Sequence, residues 1–372
     1  MLSDDIAECA LPRKVYANEN GATPMPTISY TDSTGGIELI EGYRHKVTSA
    51  AIGEWNLWGR LREVIVGTPD GTIIPRLEDF LTDSIAPDLL VAARQAEGQL
   101  LQRALPDLYA ALDEESRTLA AVYASHGVQV HFPRPVVPEE LAYSFGHGLS
   151  TPFPCDVFWC IGRHVIESSF RRPFTGATRW SVRELIQHHV DAEPAVLLHA
   201  CPMPRPASQD YLFECSDILI VGDGNVILAY DENNKSSNRR GCEWAKRLLE
   251  ADGFRVTITQ LPDIGIVHLY AVICIIGPGV AIACEEAFPG RRLPAPIADW
   301  QIVWCDLAEA RATAPCAVNL DRTTVLLPKG APRVCEEVAK LGFNVLDIDF
   351  SAHARIGGGI RCATAVVYRE IN

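Results

Sequence analysis

Short apolar runs broken by glycine-bearing turns recur along the chain from Trp55 onward. Arg62-Glu-Val-Ile-Val-Gly67 predicts a first strand. Asp156-Val-Phe-Trp-Cys-Ile-Gly162-Arg-His-Val-Ile-Glu167 is an apolar run, a Gly turn and a second apolar run, and Asp217 to Leu228 and Tyr270 to Ala283 repeat it. Ala317 to Leu327 is a weaker copy. Such runs flanking a Gly turn predict β-hairpins. The segments after these hairpins recur as well. Cys242 to Gly253 reads as an amphipathic helix stopped by glycine, with the strand Phe254 to Thr259 after it. Val334 to Gly342 with Phe343 to Ile348, and Ser116 to Gly127 with Val128 to Phe132, repeat that order. The predicted unit is therefore hairpin, helix, strand (ββαβ). Gly162, Gly222 and Gly277 lie 60 and 55 residues apart, a period that fits about five units between Trp55 and Asn372.

Units that cannot bury their own faces stack openly or close into a ring. In a ring, the residues just before each hairpin converge on the axis. Those residues are Asp156, Glu214 with Asp217, and His268. The first fifty residues, with Asn20-Gly21 and Pro24-Met25-Pro26, are poor in apolar periodicity and predict a loosely ordered extension ahead of one catalytic domain over 51–372. Ile264 to Cys284 has no Asp, Glu, Lys or Arg, but His268 and Gly277-Pro278-Gly279 interrupt it, which predicts two buried strands instead of a membrane span.

The formal charge of −14 argues against a nucleic-acid partner, which needs a basic face. Met1-Leu2-Ser3-Asp4-Asp5 lacks the basic-then-apolar order of a signal peptide. The twelve cysteines contain no CxxC pair, which predicts reduced thiols in a cytoplasmic protein and neither a disulfide framework nor a zinc site. His188-His189, Cys155 and Cys160 have no metal-ligand company, and Gly222-Asp-Gly224 runs into a strand where a nucleotide fingerprint requires a helix. Gly357-Gly-Gly-Ile-Arg-Cys362 delivers a cysteine beside a permanent cation, Arg361, which would favour the nucleophilic thiolate if the two side chains are close. Beside it, His268 and Glu214 complete a Cys-His-Glu set able to run covalent catalysis.

Glu54-Trp-Asn56 with Arg62 to Gly67, Asp156 to Gly162, Gly241-Cys-Glu-Trp244, His268 with Ile275-Ile-Gly-Pro-Gly279, and Gly357 to Thr364 together resemble the amidinotransferases, in matching order over about residues 54 to 370. The resemblance implies a five-bladed α/β propeller of ββαβ repeats with pseudo-fivefold symmetry, and a homodimer. It implies Cys362 as nucleophile, His268 as general acid and base, and Glu214 as the carboxylate orienting the histidine, where the family usually has Asp. Asp156 matches an aspartate that holds a substrate guanidinium, and Asp217, Tyr270 and Arg361 are placed with it around the substrate. Tyr270 stands where the family has a second carboxylate, and Arg361 where it has His, so the hold on a cation is weakened.

The expected activity is amidino transfer from arginine to an acceptor amine in specialised metabolism, with neither metal nor organic cofactor. Two other readings stay open: the same covalent chemistry on a neutral or anionic donor such as an amide, ester or thioester, and a non-catalytic binding descendant.

Overall fold

The structure, a computed structural model, describes residues 51–76, 85–204, 210–231, 233 and 235–371. The chain divides into two units, Met1–Val47 and Thr48–Asn372, and the described residues all belong to the second. The expected extension over residues 1–50 lies outside the described residues.

Fifteen described strands form five three-stranded sheets. They are β1 Leu61–Val66, β2 Gln129–His131, β3 Phe158–Ile161, β4 His164–Glu167, β5 Leu197–Ala200, β6 Ile218–Gly222, β7 Asn225–Tyr230, β8 Arg255–Gln260, β9 Ile273–Gly277, β10 Val280–Cys284, β11 Gln301–Cys305, β12 Val318–Asn319, β13 Thr324–Pro328, β14 Asn344–Ile348 and β15 Thr364–Arg369. The longer helices are α1 Pro87–Gln95, α2 Pro106–Ser125, α3 Arg179–Ala192, α4 Arg239–Glu250 and α5 Pro332–Lys340, and the short α6 Ser351–Arg355 comes after them.

Four sheets repeat one plan: an antiparallel hairpin whose second strand also pairs in parallel with the strand after the crossover, as in β6-β7-β8. The fifth is assembled from distant segments. There β1 pairs antiparallel with β15 and parallel with β2, so β15, β1, α2 and β2 make up the same ββαβ unit. The apolar Ile264 to Cys284 stretch holds the buried strands β9 and β10, and no helix among the described residues is long and apolar enough to cross a membrane.

Local chemistry explains these elements. The β6–β7 turn puts Asp223 and Gly224 at φ 51° and 72°, the left-handed pair that a two-residue hairpin loop needs. Gly222 has a different task, because a Cβ there would come within 2.5 Å of the Trp58 ring. Helix α4 opens on Asn238, whose side chain accepts from the Gly241 amide, and it buries Cys242, Ala245 and Leu249 at helical spacing. Helix α2 begins ten residues before the expected Ser116, because Pro106 at the first helical position and Asp107 in the first turn start it there. Between β10 and β11 the crossover is three short 3₁₀ turns, as Pro289, Pro294 and Pro296 deny a longer helix its amide donors.

Strands β6 and β9 are buried along their whole length, whereas β8 and β14 are partly exposed. Within the core, Arg369 is fully buried and donates to Glu54 at 3.1 Å and to the carbonyls of Gly59 and Asn319 at 2.6 and 2.8 Å. The eleven described cysteines are all free thiols; Cys9 lies outside the described residues.

Candidate active site

Each expected site residue stands just before the first strand of a ββαβ unit. Asp156 ends a 3₁₀ turn before β3, Glu214 caps the turn Cys215–Asp217 before β6, and His268 caps the turn Leu269–Ala271 before β9. Cys362 precedes β15, and Cys316 precedes β12. Five equivalent positions, one per sheet, thus supply Asp156, Glu214, His268, Cys316 and Cys362. Sequence patterning does not single out Cys316, although its place before the weakest hairpin copy is a signal that could find it.

Asp156, His268, Cys316 and Cys362 line one cleft of about 750 Å³. His268 Nε2 lies 2.8 Å from Glu214 Oε2, and the same oxygen accepts from the Arg172 guanidinium at 2.5 Å. Glu214 is fully buried; burial works to raise its pKa, but Arg172 and His268 outweigh it and hold the carboxyl below its ordinary range. Burial likewise works to depress His268, yet Asp156, Glu214 and Asp217 together hold it up at about 9. At neutral pH it is therefore an imidazolium. Arg172, which also lines the cleft, is not singled out by any periodicity or motif.

The Cys362 thiol is 4.0 Å from that of Cys316. Donation from Cys316, the Gly359 amide and the charge on His268 bring Cys362 below its usual pKa, against burial and Asp156, which oppose this. The loop that delivers it is tightly packed: a Cβ on Gly358 would overlap the Phe153 ring, and one on Gly359 would come within 2.6 Å of Cys316 Cβ.

Three of the expected substrate contacts sit elsewhere than the resemblance implied. Tyr270 is buried behind the cleft, and its hydroxyl donates to Asp156 Oδ1 at 2.8 Å. Ser216 also donates to Oδ1 and the Cys155 thiol lies 3.5 Å from it, so among the described residues the hydrogen bonds to this carboxylate fall on one oxygen. Asp217 accepts from the Leu269 and Ser237 amides at 3.0 and 3.2 Å, which fixes the turn carrying His268. Arg361 turns away from the cleft, stacks 4.6 Å over the Trp159 ring and lies 3.5 Å from Glu54. Its charge is met by Glu54, so it neither faces a ligand in the cleft nor sets the Cys362 thiol. Among the described residues no three His, Cys, Asp or Glu side chains gather as a metal site.

Known proteins share this fold. No protein-family model matches the chain. It is 22% identical over 345 residues to inosamine-phosphate amidinotransferase 1 of Streptomyces griseus, covering 84% of this chain and 96% of that protein. It is 27% identical over 149 residues to the N(G),N(G)-dimethylarginine dimethylaminohydrolase of Pseudomonas aeruginosa, covering 40% of this chain and 54% of that protein. Among solved structures, an amidinotransferase of Microseira wollei from the saxitoxin biosynthetic pathway superposes with a TM-score of 0.73 at 20% identity, covering 86% of this chain and 98% of that one.

Proposed function

We propose that this chain, a divergent relative of the amidinotransferases, is a transferase that moves an amidino group from arginine to an amine acceptor by way of Cys362. The observation that carries the reading is the meeting in one cleft of a Cys362 thiol drawn below its usual pKa and the Glu214–His268 pair at 2.8 Å.

The thiolate attacks the guanidinium carbon while Asp156, which lines the cleft, holds the cation. The imidazolium of His268 gives its proton to the departing amine, so the C–N bond breaks and ornithine leaves with that proton. An S-alkylisothiourea remains on Cys362, and His268 is neutral. Neutral His268 then takes a proton from the incoming acceptor amine, which attacks the same carbon. The C–S bond breaks, the thiolate returns and the imidazolium is restored. Ornithine leaves the covalent intermediate before the acceptor attacks it, so the kinetics are ping-pong.

Arg361, turned toward Glu54, removes the electrostatic objection to a cationic donor. We also read the five sheets as a closed five-bladed α/β propeller with pseudo-fivefold symmetry, and the protein as a cytoplasmic homodimer of specialised metabolism. The likeness to the amidinotransferase of the saxitoxin pathway supports the fold and the metabolic reading, and the reduced thiols support the location.

The test is intact-protein mass spectrometry after incubation with arginine and no acceptor. A gain of one amidino group with release of ornithine, both lost in Cys362→Ser, is the expected result. No adduct would overturn the proposal.

A further inference from the structure

Beside the catalytic cleft lies a second cavity of about 70 Å³. Its walls are Leu89 and Ala93 of α1, Leu101 and Leu105 of the next turn, and Leu108 and Leu112 of α2. Ile85, Ser150, Phe153 and Ile356 belong to both linings, so the two spaces adjoin through a common wall. No charged side chain is among the described residues lining the smaller space. Its polar side chains are two hydroxyls, Ser150 and Thr72, and Thr72 is already bonded to Thr151 at 2.8 Å.

These walls lie outside the repeated unit. In the unit containing β6, Tyr230 ends the hairpin and Arg239 starts the helix, a short link. Between β1 and α2 the link runs from Gly67 to Leu105, and its described residues pack with α2 and α6 into a separate apolar cluster that includes Ile74, Ala96, Leu101, Leu112 and Ala352. Covalent transfer from arginine needs none of this. A guanidinium or an α-carboxylate would lose its water there without gaining a partner, so the space does not suit the donor. An apolar cavity of this kind stays dry and takes apolar groups.

We infer that the chamber receives an apolar substituent of the acceptor, and that the acceptor is a primary amine borne on an alkyl or aryl chain. The inference rests on the proposed amidino transfer for the word acceptor, whereas the chamber's preference for an amine with an apolar tail is measured without that reaction.

The experiment measures how linear primary amines, from propylamine to nonylamine, protect Cys362 from iodoacetamide, with ω-aminocarboxylates of equal length as controls. Each added methylene should lower the protecting concentration about fourfold. The gain should continue over about five groups, the number that 70 Å³ holds at water size, and then level off. The aminocarboxylates should show no gain. Ala93→Phe, which fills the chamber, should abolish the slope, and Leu108→Ala should extend it to longer chains. A flat response in the unaltered protein, or a slope that survives both Ala93→Phe and the smaller Ala93→Leu, overturns the chamber. Formation of the amidino adduct on Cys362 is scored separately. An adduct without a slope overturns the chamber alone, and a slope without an adduct overturns the proposed transfer alone.

Discussion

The thiol of Cys316 stands 4.0 Å from that of Cys362, and it is the largest influence drawing the latter toward its thiolate. Removing that donor in Cys316→Ala should raise the pH at which Cys362 is half-alkylated toward the ordinary thiol range, while Cys316→Ser, which keeps a hydroxyl donor, should restore it. The readout is the pH profile of iodoacetamide modification at Cys362. Equal profiles for the protein and the alanine variant would show that the thiolate is set by the Gly359 amide and His268 without Cys316.

His268 carries a proton up to about pH 9, so release of ornithine in the first half-reaction should fall as pH rises through that value. Stability should track the same group. Its folded pKa lies above its ordinary value of 6.5, so the contribution is complete below about 6.5 and is lost as pH climbs toward 9. Melting temperatures between pH 7 and 9.5 should therefore drop more for the protein than for His268→Gln.

Tyr270 spends its hydroxyl on Asp156, the carboxylate assigned to the substrate cation. Tyr270→Phe should destabilise the fold by about 1.5–3 kcal/mol, since the lost hydrogen bond is made to a charged group. The same change leaves Asp156 with one donor fewer, so KM for arginine should fall while kcat holds. A rise in KM would instead make the hydroxyl part of the substrate's own contacts.

Glu54 is fully buried between two guanidiniums, Arg369 at 3.1 Å and Arg361 at 3.5 Å. Glu54→Gln leaves both cations without their counter-charge in the core and should cost about 3–5 kcal/mol. Urea unfolding monitored by tryptophan fluorescence would measure it. A loss below about 1 kcal/mol, the range of an exposed pair, would mean that water reaches the cluster.

The hairpin grammar is legible in the sequence because each turn carries a local signature, as at Asp223-Gly224, and because strands such as β6 and β9 are continuous apolar runs. Asp156, Glu214 and His268 can be picked out because each sits just before such a strand, and Cys362 because three glycines lead into it. Cys316 escapes because β12 is two residues long and hardly announces itself. Arg172 escapes because its partner, Glu214, is 42 residues away in sequence and only the packed fold joins them. Directions are harder still. Arg361 adjoins Cys362 in the chain, yet an adjacent residue can face the opposite way, and here the draw of Glu54 and the Trp159 ring decides it.

The pairing of β1 with β15 bears on how the protein comes to life as well as on its shape. Val66 and Thr364 are partners across that ladder although about 300 residues separate them along the chain. Cys362 lies two residues ahead of that partner, so the nucleophile takes its place only when the most distant contacts have formed. A refolding chain would thus show an ordinary, sluggish thiol until this ladder forms and a reactive one afterwards, making alkylation of Cys362 a clock for the pairing of β1 with β15.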